Sequence, residues 1–273
     1  MNKTIGFLSI CLTVSLFFLF SACAEKNEKT IHISGSTTIE PFMKKVAARY
    51  KRPKETTITI TAPGSIGGMN SLLDGSCDIV MSSSDLLPSY QLSAQNQGIK
   101  IKSFLLGVDL IVPIVNPKNR VRNLSLDQLK DIYGGKIQNW SELEGKNALI
   151  ETVHRNNNSG TAAVWNRIIA PQIHPTGKTL VSNSSVLAYI AENENAIGYI
   201  SHAFVNSEIK PLTVDGVDIG NKEIWHKNHP IKRPLFLYVD ENKFTGSIKT
   251  FIIFTLMDKE VKKIFQASGF FSS

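Results

Sequence analysis

The chain has 273 residues, of which 42% are hydrophobic and 19% charged, and its formal net charge is +7 at pH 7. The basic residues are scattered, as on ordinary solvated faces, and are not interleaved with aromatic residues, which excludes a recognisable nucleic-acid groove. A positive surface could still raise the local concentration of an anion. Without its first residues the chain keeps about 250, enough for one large or two ordinary α/β domains.

The N-terminal segment, residues 1–22, is predicted to be a signal peptide outside the fold. Lys3 gives it a positive start, and residues 5–20 form an apolar stretch too short to span a bilayer comfortably. Residues 19–23, Leu-Phe-Ser-Ala-Cys, resemble a bacterial lipobox, although Phe20 stands where leucine is usual. A plain signal peptide or an anchor helix is the alternative interpretation.

The positions of the three cysteines are consistent with a lipoprotein. Cys23 is expected to take a diacylglycerol and palmitate and to become the new N-terminus, followed by a polar tether over residues 23–30. Cys11 would leave with the signal peptide, so Cys77 has no intrachain partner and is expected to be a small buried hydrophobe. The fold must then be held together by its core.

The next part of the chain, up to Met81, repeats a strand, a Gly/Ser loop and a helix. Strands are predicted at residues 31–34, 56–61 and 78–81, and apolar residues recur at helical spacing between Ile39 and Tyr50. This alternation predicts a parallel sheet covered by helices. Ligands of such sheets bind beyond the carboxyl ends of the strands, where the loops lie.

Four loops have the same chemistry, since each places glycines or small hydroxyl residues in a turn. They are residues 35–38 (Gly-Ser-Thr-Thr), 64–68 (Gly-Ser-Ile-Gly-Gly), 82–85 (Ser-Ser-Ser-Asp) and 155–161 (Arg-Asn-Asn-Asn-Ser-Gly-Thr). Three of them precede an apolar pattern typical of a helix start. Because a helix N-terminus has free N–H groups and a positive dipole end, these loops predict a site for a small tetrahedral oxyanion.

The second half of the chain continues the α/β pattern. A helix is predicted over residues 126–133, ending at Gly134 and Gly135, and a longer apolar run covers residues 104–115. Further strands are predicted at 150–153, 196–200 and 234–239, a helix at 186–190, and one amphipathic C-terminal helix over 251–265.

The ordered motifs resemble one family. After Gly-Ser-Thr-Thr come Gly-Ser-x-Gly-Gly, Ser-Ser-Asp, Val-Asp-Leu-Ile-Val-Pro-Ile-Val-Asn, Leu-x-x-Ile-Tyr-Gly-Gly-Lys-Ile-x-x-Trp, Arg-x-x-x-Ser-Gly-Thr and Ala-Ile-Gly-Tyr. In this order they resemble the phosphate-binding proteins of bacterial phosphate-specific ABC transporters. The resemblance runs over about residues 31–265, nearly the whole chain after the tether.

The resemblance implies a two-lobe periplasmic-binding-protein fold of type II. Each lobe is then an α/β unit with a mixed, mainly parallel sheet flanked by helices, and two crossover strands join the lobes. Residues 31–108 form the first lobe, 109–231 the second, and 232–273 return to the first. The crossovers are expected at 109–116 and 233–239.

The resemblance also implies the site and the function. Phosphate would be held by Ser36, Thr37, Thr38, Ser65, Asp85, Arg155, Ser159, Gly160 and Thr161. The protein would be a monomeric, lipid-anchored receptor in the cell envelope that captures inorganic phosphate and delivers it to a membrane-embedded ABC permease. Catalytic residues, a cofactor, a metal and nucleic acid are not expected.

Two positions have special roles in this interpretation. Asp85 would accept the hydrogen bond of protonated phosphate, which sulfate cannot donate and against which sulfate is repelled. In the family an acidic residue often follows the arginine by two positions and holds its guanidinium, but here Asn157 stands there. Either the arginine is held less rigidly, or Asp109 or another carboxylate takes that place.

Simpler interpretations of the same residues stay open. Residues 82–84 could form an ordinary turn, and Asp85 could cap the helix that follows it. Arg155 could pair with a surface carboxylate. His226 and His229 lie three apart in a polar loop and are expected in solvent rather than on a metal.

Two other functions also stay open. The same scaffold could bind another oxyanion, with arsenate hard to exclude. A surface lipoprotein could also act as an adhesin or as an enzyme that hydrolyses phosphoesters, and an adhesin would not need Arg155.

Overall fold

A computed structural model describes residues 29–51, 56–170, 177–219 and 229–271. The predicted signal peptide and Cys23 lie outside the described residues, as does most of the tether. Within the described part of the chain, none of the helices combines the length and the apolar character needed to span a bilayer.

The first part of the chain alternates strands and helices as its sequence pattern predicts. The elements are β1 Lys29–Gly35, α1 Glu40–Arg49, β2 Thr56–Thr61, α2 Ser65–Leu73, β3 Ile79–Ser82, α3 Pro88–Asn96 and β4 Ile101–Val115. The β1 strand pairs in parallel with both β2 and β3, which confirms the predicted parallel arrangement. The loops after these three strands therefore lie at one edge of the sheet.

The second part contains shorter strands and five more helices among the described residues. The elements are β5 Asn123–Leu124, α4 Leu126–Tyr133, β6 Glu151–Arg155, α5 Gly160–Ile168, β7 Lys178–Leu180, α6 Asn183–Glu192, β8 Ala196–Ser201, β9 Lys210–Pro211, β10 Thr213–Val214, β11 Lys232–Asp240, α7 Gly246–Met257 and α8 Lys259–Ala267. Three 3-10 turns, Trp140–Leu143, His202–Phe204 and Glu241–Lys243, complete it.

The strands follow the order β2-β1-β3-β11-β4-β8-β6-β7. Strand β4 joins the two halves of this order, since it pairs with β11 up to Leu110 and with β8 from Ile111 onwards. The return strand β11 lies between β3 and β4 and is antiparallel to both. These two long strands are the crossovers, and the chain has the two-lobe fold.

Each lobe is built around its own aromatic core. In the first, Phe42 of α1 packs edge-to-face against Phe265 of α8, with ring centroids 5.1 Å apart. In the second, Trp165 stacks on Tyr199 at 4.2 Å, and both are almost completely buried. Because the two cores are separate, closure of the lobes does not require either core to repack.

Two sequence predictions about the C-terminal part are wrong. The helix predicted over 251–265 is two helices, because the Asp258 carboxylate accepts the backbone N–H groups of Glu260 and Val261 and so begins a new helix. His229, which was expected in solvent, is 1% exposed, and its Nδ1 accepts from the Ile231 N–H. The prediction for His226 lies outside the described residues.

Other predictions about single elements are confirmed. The α4 helix has the predicted bounds and begins with a capping box between Ser125 and Gln128. Cys77 is buried and free, and burial raises the pKa of its thiol to about 12, which makes it an inert core residue.

Candidate functional site

The hydroxyl-rich loops of the two lobes meet in the structure. The Ile66 N–H, in the first turn of α2, donates to the Asn158 carbonyl at 3.1 Å, and a Cβ built on Gly64 would overlap that same carbonyl. Gly64 has a φ of +98°, a region that favours glycine. This contact closes the cleft between the lobes over the residues that the loops carry.

Arg155 lies at the end of β6 and is only 3% exposed. Its Nη1 donates to Asn183 Oδ1 at 3.2 Å, and its Nη2 donates to Thr37 Oγ1 at 3.1 Å and to the Val181 carbonyl at 2.9 Å. All three acceptors are neutral, and the buried Nε has no partner among the described residues. Burial lowers the pKa of Arg155 to about 10, so the guanidinium stays charged at neutral pH.

A second buried arginine lies close to the first. Arg233 on β11 pairs with Asp109 on β4, with Nη2 and Nε at 2.6 Å and 2.9 Å from Asp109 Oδ2 and both side chains fully buried. Ser201 donates to the other carboxylate oxygen at 2.9 Å. Asp109 therefore neutralises Arg233, and the expectation that it holds Arg155 is wrong. Asn183 takes that place.

The remaining small residues surround these two guanidinium groups. Buried hydroxyl groups are contributed by both lobes, namely Ser36, Thr38, Ser65, Ser159 and Thr161, and Thr37 is half-buried. Ser159 caps α5 by accepting from the Ala162 N–H at 3.2 Å. A Cβ built on Gly160, the first residue of α5, would overlap Ser65 Oγ. The structure thus brings eight of the nine predicted residues into one region at the N-terminus of α5.

Asp85 is the exception, because the structure does not place it in the buried cluster. Its side chain is 49% exposed, and its Oδ2 lies 3.2 Å from Nη1 of Arg167, a residue of α5 in the other lobe. The opposite charge of Arg167 holds the carboxylate at the rim of the cleft. The alternative interpretation of Asp85 as a helix cap is wrong, since α3 begins after Leu87 without a side-chain cap.

Four residues of this region are absent from the predicted site: Arg233, Asn183, Ser83 and Tyr199. Ser83 nevertheless belongs to the loop 82–85, and Tyr199 to the Ala-Ile-Gly-Tyr motif. Ser83 Oγ accepts from Ser36 at 2.9 Å, and the Tyr199 hydroxyl accepts from the Arg155 backbone N–H at 3.1 Å. A signal existed for Asn183, because residues 182–185, Ser-Asn-Ser-Ser, are a fifth hydroxyl-rich turn before a helix. Arg233 lies in a strand whose pattern gives no such sign.

Comparison with known proteins adds independent information. A family model described as a PBP superfamily domain matches residues 21–259. The chain is 29% identical over 252 residues to the phosphate-binding protein PstS of Bacillus subtilis, with 90% of this chain and 81% of the relative covered. It is 27% identical to PstS of Borreliella burgdorferi, with 98% of each chain covered.

Solved structures of phosphate transport proteins are also similar to this chain. A putative phosphate ABC transporter substrate-binding protein with bound phosphate from Clostridium perfringens matches with a TM-score of 0.82 and 31% identity, covering 90% of this chain and all of that one. An ABC-type phosphate transport receptor from Vibrio cholerae matches with a TM-score of 0.73 and 29% identity over the same shares.

Proposed function

The chain belongs to the PBP superfamily, and on that premise we propose that it captures inorganic phosphate outside the cytoplasm and delivers it to an ABC permease. The relatives are named as phosphate-binding proteins, and the Clostridium perfringens structure holds phosphate. The protein is thus a transport receptor and not an enzyme.

One observation carries the proposal, and it is the environment of Arg155. A buried cation without a neighbouring carboxylate is costly, because neutral acceptors do not repay the loss of hydration. The described residues give Arg155 only an amide oxygen, a hydroxyl and a carbonyl, and leave its Nε unused. An oxyanion between the lobes would supply the missing negative charge and accept from the free N–H.

The surrounding groups fit a tetrahedral anion. Neutral hydroxyl and N–H donors satisfy oxygen atoms with little loss of solvation free energy, and the N-terminus of α5 adds a favourable dipole. We assign phosphate contacts to Arg155 and to the groups of both lobes around it, namely Ser36, Thr37, Thr38, Ser65, Ser159, Gly160 and Thr161. Asp85 would join them by leaving Arg167 and accepting the phosphate proton.

The proposal also includes the boundaries of the two lobes and the lipid anchor. Residues 31–108 and 232–273 would form one lobe and 109–231 the other, closing about the crossovers β4 and β11. Residues 1–22 would be removed and Cys23 lipidated, which would tether a monomeric receptor at the outer face of the membrane.

A second candidate is capture of another oxyanion. It is favoured by the position of Asp85, because a carboxylate that stayed paired with Arg167 at the rim would not repel sulfate in the buried cluster. Phosphate and sulfate therefore have to be compared on the same protein.

Isothermal titration calorimetry of the purified protein tests the proposal. Bound phosphate is first stripped by partial unfolding and refolding, and phosphate and sulfate are then titrated separately. One-to-one phosphate binding without a sulfate signal is the expected result. Equal binding of both anions would favour the second candidate, and folded, stripped protein that binds neither would contradict both.

A further inference from the structure

The side-chain amide of Asn183 has only one possible orientation. Its Oδ1 accepts from Arg155 Nη1 at 3.2 Å and from the Ser201 backbone N–H at 3.1 Å. Both of those groups can only donate, so the oxygen must face them. The Nδ2 group then necessarily donates to Thr38 Oγ1, which lies 2.9 Å away.

The same reasoning fixes the Thr38 hydroxyl. Its oxygen receives Asn183 Nδ2 and also Arg233 Nη2, at 3.2 Å, and a guanidinium has no acceptor atom. Both lone pairs of the hydroxyl oxygen are thereby used. The hydroxyl hydrogen of Thr38 can then only be donated to a further group.

Thr161 is fixed more directly. Arg233 Nη1 donates to Thr161 Oγ1 at 2.6 Å, so this hydroxyl also acts as an acceptor towards Arg233. Thr161 is 1% exposed and lies in the first turn of α5, beside Gly160. No described residue accepts its hydrogen, and leaving a buried donor unsatisfied is unfavourable.

We infer that Arg233 is a positioning residue of the anion site, which fixes the Thr161 hydroxyl as a donor aimed at the bound oxyanion. The inference rests on the proposed function. Arg233 supplies orientation and not net charge, because Asp109 neutralises it, whereas Arg155 supplies the charge. Arg155 donates to Asn183, Asn183 donates to Thr38, and Arg233 donates to Thr38 as well. The two arginines are therefore linked by one hydrogen-bond network.

A double-mutant cycle on phosphate affinity tests the inference. Thr161→Val removes the hydroxyl at nearly constant volume, and Arg233→Lys keeps the charge pair with Asp109 but cannot span Asp109, Thr161 and Thr38 together. Each single change should weaken phosphate binding, the first by about 10- to 100-fold, as for one hydrogen bond to a charged group. In the Arg233→Lys background, Thr161→Val should weaken it by less than about threefold more.

Matched variants separate orientation from general damage. Thr161→Ser keeps the hydroxyl and should stay within about threefold of the unchanged protein. Arg122→Lys, at an exposed arginine, should leave the full effect of Thr161→Val in place. If Arg233→Lys does not fold, Arg233→Met with Asp109→Leu replaces it, since apolar replacement of a buried pair often preserves stability.

The inference would be overturned if the fold-loss of phosphate affinity in the folded double variant equals the product of the two single losses. Arg233 would then act independently of Thr161. Equal losses in Thr161→Ser and Thr161→Val would overturn it as well. If the unchanged protein binds no phosphate, the proposed function fails first, and that result is distinct from independent losses in a protein that binds.

Discussion

Arg167 Nη1 lies 3.2 Å from Asp85 Oδ2, and this ion pair joins α5 of one lobe to the loop after β3 of the other. Both side chains are about half exposed, so solvent screens the pair and its contribution to stability is small. The pair matters because Arg167 and a bound phosphate would compete for the Asp85 carboxylate. Under the proposed function, the Asp85 carboxylate would have to leave Arg167 in order to accept the proton of phosphate.

Replacing Asp85 by asparagine should relax the rejection of sulfate. The substitution removes the charge that repels a fully ionised oxyanion and keeps a polar side chain of the same size. We expect the ratio of phosphate to sulfate affinity, measured by calorimetry, to fall by at least about tenfold, the equivalent of one charge-assisted hydrogen bond. Arg167→Met is the matched control and should preserve selectivity, because it frees Asp85. Sulfate binding that stays undetectable in Asp85→Asn would contradict this role of Asp85.

Replacing Arg155 by alanine should weaken phosphate binding by about 2–5 kcal/mol, the usual effect of removing one partner of a buried charge pair. Arg122→Ala, at an exposed arginine, is the control and should leave binding within about 0.5 kcal/mol. Calorimetry on proteins with the same circular dichroism spectrum measures both. A loss below about 1 kcal/mol in Arg155→Ala would place this residue outside the pocket.

The fold was predictable because its local signals agree with its tertiary structure. Alternating and β-branched residues mark β1 and β2, and the capping box with Gly134 and Gly135 limits α4 at both ends. The C-terminal helix was mispredicted for a related reason. Its apolar periodicity continues through Asp258, so the pattern hides a break that one carboxylate creates by capping.

The site was predictable only where its residues share a loop with glycines and hydroxyl groups. Arg155 and Ser159 belong to such a loop, but Arg233 and Asp109 lie inside long crossover strands and meet by antiparallel pairing of β11 with β4. The register of β11 against β4 makes Arg233 and Asp109 direct neighbours, and this register depends on pairing between segments far apart in the sequence. The side-chain direction of Asp85 depends on Arg167, 82 residues away in sequence, which no local pattern encodes.

Stability should depend on pH through His229. Burial lowers the pKa of this imidazole to about 4, and the nearby His202 and Lys232 act in the same direction. The unfolded chain, with an ordinary histidine pKa of about 6.5, therefore binds the proton first as pH falls. The contribution is complete above about pH 6.5 and is lost towards pH 4, by about 3 kcal/mol in total.

His229→Asn isolates this effect, because the asparagine oxygen can accept from the Ile231 N–H as Nδ1 does but does not titrate. Urea denaturation at pH 7 and at pH 4.5 (within roughly the window set by the two pKa values) gives the free energy of unfolding of both proteins. The unchanged protein should lose more stability than the variant between these conditions. Equal losses would show that the fold does not lower the pKa of His229.

Adding one methyl group at Gly160 should hinder closure of the lobes. The Cβ of an alanine there would overlap Ser65 Oγ and crowd Ser83 Oγ, and both serines belong to the opposite lobe. Since each lobe has its own core, Gly160→Ala should leave the unfolding transition nearly unchanged, while phosphate affinity falls by about tenfold or more, the result of losing contacts from one lobe.

Small-angle X-ray scattering with and without phosphate measures closure directly. The unchanged protein should become more compact with phosphate, whereas the radius of gyration of Gly160→Ala should fall by less. Gly98→Ala is the control, because nothing lies within 4 Å of the added Cβ and its positive φ of +71° confines the strain to the end of α3. Gly160→Ala that compacts normally and binds phosphate with unchanged affinity would show that the lobes do not meet at Gly160 and Ser65 in the bound state.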